Sequence, residues 1–385
     1  MAKKADPIIK VKSRLEKAEV KLKDLHEKVK DRTSRPTVQV GKNEVVLKKA
    51  HHKPNFTSKT ILTDSTWSYV EIFLKQEKSK EAEEALFYWE QARNFYEASK
   101  SLTTVSSPLT IYYCFLNATK ALLKFKKQNF NLKHGVTGKR KDGQFVLQNE
   151  TLTIKAKGVL SGLCAYIGEP IKNNEPPYTL KDIFYNLSFI HRAFQLTFSS
   201  PSYPELFVPI VNPRYVYDKF RKVGWFEAQL ESEHSNNRTY GNLVGFGLDK
   251  NYDNSHFYVI RRNKTFKWDC KRNQPTADSL LDLNKYHHKI RKQLRTIYGP
   301  NNLWYIKRTN LSTHIIDRSN LVLIFATMHR LSEMARYEPQ ALVKNLDKNH
   351  SWLLTEFINK SPLQFIDEIS SEITGNDFRA TGFRE

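Results

Sequence analysis

The stretch EALFYWEQARNFYEAS (84–99), followed after a short break by SPLTIYYCFLNATKALL (107–123), decides the fold. In the first, Ala85, Trp89, Ala92, Tyr96 and Ser99 return on one helical face, within a helix expected over about 79–101. The small residues of that face let a second helix approach closely. Ser107-Pro108 opens the second helix, with a serine at the capping position and a proline in the first turn. Together they predict an antiparallel helical hairpin, entered through the aromatic segment WSYVEIFLK that begins at Trp67. Late in the chain Leu321, Ile324, Phe325, Met328, Leu331 and Ala335 predict a helix over 319–336, which Glu338-Pro339 punctuates. Further helices are expected over 339–359 and 362–373.

Between these helical parts the periodicity shortens to two. Gln144 to Leu147 and Thr151 to Ile154 flank a polar turn and read as a β-hairpin, HFYVI and TFKWDC flank RRNK (261–264) as another, and FVPIVNP from Phe207 reads as a short strand. The expected fold is therefore mainly α with a mixed α+β middle. Its parts are a basic helix and arm over 1–50, a helical hairpin region over 60–128, a mixed region over 129–318, and a helical region over 319–385 that packs on the hairpin.

The first of these carries Leu15, Ala18, Leu22, Leu25 and Val29 at heptad spacing, a stripe too short to form a stable isolated helix. Leu15, Leu22, Leu25 and Val29 are accordingly expected to dock on a protein partner, the alternative being a helix packed on its own domain. After Arg35-Pro36 the segment VQVGKNEVVLKKAHHKPN reads as an extended arm turning at Gly41.

The chain has 385 residues and a formal charge of +22, which attracts polyanions and makes DNA or RNA the expected partner. No apolar run is long enough to span a bilayer, and the start MAKKADPIIKVKSR lacks the apolar centre of an export signal. Three widely spaced cysteines fit buried thiols in a reducing cytoplasm rather than a disulfide framework. No phosphate-binding glycine loop, dinucleotide fingerprint or nucleophile elbow is present, so an ordinary NTPase or α/β hydrolase is not expected. His51-His52 and His287-His288 lack the spacing of a recognisable metal site; neither metal nor cofactor is expected.

Three stretches taken together resemble the YaaC-like family: WSYVEIFLKQ; the pair EALFYWEQARNFYEAS and SPLTIYYCFLNATKALL with His134-Gly135 after it; and MHRLSEMARYEPQAL from Met328. The resemblance covers about two thirds of the chain and leaves the first 50 residues as an addition. It implies a helical core and brings no reaction with it. The helical pair is also similar to HEPN domains, a likeness that implies RNA cleavage, antiviral defence or an inactive binding scaffold by analogy of fold.

HEPN nucleases pair an Arg and a His a few residues apart, and Arg308 and His314 have that spacing, as phosphate stabiliser and acid or base. A nucleic-acid surface is expected from Arg261, Arg262, Lys264 and Lys267 in the second hairpin and from Trp304, Lys307 and Arg308, where aromatics stack bases and cations neutralise phosphates. The same alternation also describes a strand with aromatics inward and charges outward. His134 before Gly135 fits an imidazole placed in a cleft or, more commonly for that pair, a helix end or turn, and Arg336 with Glu338 a helix-end ion pair or an anion site. The function expected is an accessory, non-catalytic protein binding nucleic acid, a protein partner or both, as in a prokaryotic antiviral defence assembly; the alternative is a HEPN-like, metal-independent ribonuclease.

Overall fold

The computed structural model describes residues 14–22, 35–143, 145–172, 175–249, 257–271, 274–301, 303–346 and 350–381. Among them helix accounts for 46% and strand for 19%, with twelve helices and a curled seven-stranded antiparallel sheet. This corrects the mainly helical expectation: the fold is mixed α+β, because a second core is built on the sheet.

Helix α1 covers 14–22 and is exposed along its length. Helices α2 (Thr66–Gln76), α3 (Lys80–Ser99) and α4 (Ser107–Phe125) follow, and α3 lies along α4 as the hairpin requires. The Ser79 hydroxyl caps α3 by accepting from the Ala82 amide, whereas Ser107 is the first residue of α4 rather than its cap. Next come α5 (Val159–Ile167), α6 (Leu180–Tyr185), α7 (His191–Thr197), α8 (Asn237–Gly241) and α9 (Ala277–Arg291). The last three are α10 (Asn320–Tyr337), capped by Ser319, α11 (Pro339–Leu346) and α12 (Ser351–Thr374). Pro362 stands inside α12 rather than opening a new helix there. Helices α2 to α5, α10 and α12 enclose one apolar core around Trp89, Phe115, Phe325 and Phe365. Among the described residues no helix is long and apolar enough to cross a membrane.

The sheet runs in the order Leu294–Ile297, Leu303–Lys307, Phe207–Asp218, Val223–Leu230, Val259–Arg262, Phe246–Leu248. Helix α9 fills its concave face with Leu283, Tyr286 and Ile290, against Phe226, Ile260 and Ile306. The expected RRNK hairpin does not form: Val259–Arg262 and Phe266–Lys267 both pair with Val223–Leu230 instead of with each other. The other expected hairpin is shifted, since Glu150–Ile154 pairs with Val136–Arg140, upstream of Gln144.

The arm turns at Gly41, where φ is +62°, and Val38, Val45 and Leu47 are buried in the sheet core while Val46 is exposed. Residues 48–51 then pass between the two cores. The Lys49 ammonium binds Asp367 on α12 at 2.7 Å, the Arg291 guanidinium of α9 donates to the Lys49 carbonyl at 2.8 Å, and His287 binds the Ala50 carbonyl at 2.8 Å. Residues 35–50 are therefore joined to the sheet core rather than forming a separate basic segment.

Candidate functional site

The loop Lys133-His134-Gly135 is anchored to the start of α5 through its backbone carbonyls. Helix α5 has no side-chain cap, and its first free amides are satisfied by this loop: Val159 donates to the Lys133 carbonyl at 2.8 Å and Leu160 to that of His134 at 3.2 Å. Gly135 sits at φ +83°, and a Cβ there would come 3.1 Å from the Cα of Gly158. Only glycine allows that approach, so the His134 imidazole stands on a rigid base at the surface.

Beneath it lies Tyr112 of α4, whose hydroxyl is hydrogen-bonded to His134 Nδ1. From α10 comes His329, with its ring edge-on to Tyr112 at 4.9 Å and 5.5 Å from that of His134. His329 is buried and its Nδ1 has no hydrogen-bond partner among the described residues; Glu333 Oε1 stands 3.8 Å off. An unpaired buried nitrogen costs about 1–3 kcal/mol, and such groups mark strained or ligand-binding positions.

Burial, then the charges of Arg336 and Lys120, lower the pKa of His134. Burial also takes that of His329 down to about 3, with His134, Arg336 and Arg330 acting in the same direction. The Tyr112 phenol is pushed far up by burial. At neutral pH the site thus presents two uncharged imidazoles and a protonated phenol. Two cations rim it: Arg336, exposed, whose charge acts on all three rings, and Lys120, whose ammonium lies 5.3 Å from the centroid of Tyr88.

An ion-pair network braces this end of α10. Glu150 is fully buried and accepts from Arg330 Nη2 at 2.6 Å and Nε at 2.8 Å, and also from Arg140. Arg330 reaches Glu333 at 3.3 Å and Glu338 at 3.5 Å. Gly138 of the hairpin has no side chain because Arg330 and Glu333 fill that space.

Arg308 and His314 are not joined by a hydrogen bond. Arg308 sits in the field of Glu205 and Tyr185, while His314 Nδ1 is bound to Asp182 Oδ1 at 2.9 Å and its ring stacks on Tyr203 at 4.5 Å. Of the expected nucleic-acid surface, Lys264 and Lys267 are exposed and Arg261 lies 4.3 Å over Trp225. Arg262 lies over Phe246 in the sheet core. Trp304 and Lys307 are buried, and the Lys307 ammonium donates inward to the Ile316 carbonyl at 2.5 Å. In the partner stripe Leu15 and Leu22 are exposed at 58% and 63%; Leu25 and Val29 lie outside the described residues. Among the described residues no group of three or more His, Cys, Asp or Glu is placed to hold a metal ion.

Sequence reading missed Tyr112 and His329, which look like core residues of apolar helices. One signal pointed to them: the stretches carrying the family resemblance after Trp67–Gln76 together supply all three rings, Tyr112 and His134 from the second and His329 from the third. The family model described as YaaC-like Protein matches residues 33–373. No curated protein and no solved structure matches the chain.

Proposed function

Since the chain belongs to the YaaC-like family, of which it carries the matched region 33–373, we propose that it is a nucleic-acid-binding protein that seats a backbone phosphate in the Tyr112–His134–His329 cleft. The observation that carries this reading is the convergence of two uncharged imidazoles, one with an unpaired buried nitrogen, under two cations on a chain of net charge +22. Nitrogen donors meet the phosphate oxygens, and Arg336 and Lys120 neutralise the charge. The exposed Leu15 and Leu22 add support for a protein partner.

Affinity for an oligonucleotide is expected to fall steeply with salt, with a slope of about 0.7–0.9 per neutralised phosphate. Arg336→Gln should weaken binding and lower that slope by about one phosphate. Failure to bind either DNA or RNA at low salt overturns the proposal.

A second reading, metal-independent RNA cleavage, is favoured by the bond between Tyr112 and His134. With Nδ1–H donated to the phenol oxygen, Nε2 turns its lone pair outward, and the lowered pKa keeps it unprotonated at neutral pH. His134 then takes the proton of a ribose 2′-hydroxyl as that oxygen bonds to phosphorus. The bond to the 5′ oxygen breaks, leaving a 2′,3′-cyclic phosphate and a 5′-hydroxyl that receives a proton. Cleavage in the presence of chelator, lost in His134→Ala and kept in His314→Ala, supports this; loss in His314→Ala alone moves the base to the pair of His314 with Asp182.

A further inference from the structure

Helices α3 and α4 meet along a seam that runs into the cleft. Tyr88 and Phe95 are seven residues apart on α3, and Tyr113 and Lys120 are seven apart on α4, so each pair lies on one face, two turns apart. Because the helices are antiparallel, Phe95 stacks with Tyr113 at 5.3 Å and 25°, while the Lys120 ammonium lies over Tyr88. All four are half-buried: each is rooted in the packing and presents part of its surface to solvent. Phe87, 59% exposed, extends the aromatic surface beside Tyr88 at 5.6 Å. Tyr113 lies beside Tyr112 at 5.7 Å and the charge of Lys120 acts on His134, which links the seam to the site. The acidic side chains further along the seam are already paired, Glu84 with Lys124 at 2.6 Å and Glu81 with Lys127 at 3.1 Å.

We propose that this seam makes the protein selective for single-stranded nucleic acid, whose bases stack on Tyr88, Phe87 and Tyr113 while the backbone follows Lys120 into the cleft. The inference rests on the nucleic-acid reading above and names its substrate class. Aromatic rings beside cations hold unpaired bases, whose faces are open, whereas the faces of duplex bases are covered by their neighbours. Two helical turns span about 10.5 Å, room for about three nucleotides at 3.4 Å each.

The test is fluorescence anisotropy with a 2′-O-methyl oligouridine of about twelve nucleotides, which cannot be cut through a 2′-hydroxyl, against its duplex with 2′-O-methyl oligoadenosine. The single strand should bind more tightly than the duplex. Tyr88→Leu should weaken it roughly 5- to 100-fold, with Tyr88→Phe restoring affinity. Melting curves of both variants separate lost stacking from lost folding. A duplex bound as well as the single strand, or single-strand affinity unchanged in a folded Tyr88→Leu, overturns the inference and leaves nucleic-acid binding standing. If neither probe binds and unmodified DNA and RNA also fail, both proposals fall.

Discussion

Glu150→Gln tests whether the ion-pair network holds the end of α10 in place. Glu150 is fully buried and faces two guanidiniums, of which Arg330 has only 7% of its side chain exposed. Removing one partner of a buried pair costs about 3–5 kcal/mol, because the charge left behind is uncompensated. Arg330 keeps Glu333 at 3.3 Å and Glu338 at 3.5 Å, and Arg140 keeps Glu338, which places the expected loss at the low end, about 3 kcal/mol. Unfolding entropy near 2.1 cal/mol/K per residue over 385 residues gives about 0.8 kcal/mol/K. The melting temperature should therefore fall by about 4 °C. Calorimetry or thermal circular dichroism reads this directly. A double variant, Glu150→Leu with Arg330→Met, should recover much of the loss, since apolar side chains replace a buried pair at little cost. A Glu150→Gln protein that melts within about 1 °C of the parent refutes the argument.

Acid should destabilise the fold through its buried histidines. Burial holds His287 and His329 at about 3, below the ordinary histidine value of 6.5, so the unfolded chain takes up protons that the folded chain refuses. The stability they contribute is complete above pH 6.5 and is lost as pH falls from there toward 3; melting temperatures should drop across that window, and His329→Phe should flatten the drop. Deleting residues 1–32 should leave the melting temperature within about 1 °C, whereas deleting 1–50 also removes buried Val38, Val45 and Leu47, each worth about 1.5–3 kcal/mol, and should lower it by several degrees. Equal melting of the two deletions would contradict the placement of the arm in the sheet core.

Helices α3, α4 and α10 were legible from their apolar faces and start signals, whereas α5 to α9 were not read from the sequence. Ser79 and Ser319 cap α3 and α10 as their positions suggest. The sheet was poorly legible for two physical reasons. Phe207–Asp218 reads from sequence only as the short strand FVPIVNP, because Pro213 marks its end; the strand runs on through a bulge between Val211 and Arg214, with Asn212 at φ +50°. Val223–Leu230 shows no clean alternation because both its faces are covered. Phe226 and Ala228 enter the core, while Trp225 lies under Arg35 at 4.8 Å and Arg261 at 4.3 Å, and Glu227 binds Arg214. A strand buried on both sides loses the period-two signal. Trp304 and Lys307 are likewise an aromatic and a cation that are both buried, a placement that alternation along the strand does not reveal.

The site was legible only in part, with His134 and Arg336 singled out and Tyr112 and His329 missed, for a different reason, which also explains why its charge is available to a ligand. Tyr112, His134 and His329 stand far apart in sequence and meet only because the Lys133–Gly135 loop caps α5 and α10 crosses α4. Helix α10 carries two arginines six residues apart, and they have opposite fates. Arg330 faces the hairpin, where Glu150, Glu333 and Glu338 take up its charge. Arg140 shares Glu150 and Glu338, so the local carboxylates are committed to two buried or half-buried guanidiniums. Among the described residues no ion pair engages Arg336, which lies against the ring of Tyr337 at 5.0 Å and acts on all three rings of the cleft. An uncommitted cation above two unprotonated imidazoles is an environment that an anion improves. The network that stabilises α10 thereby leaves Arg336 as the charge that the proposed phosphate site requires.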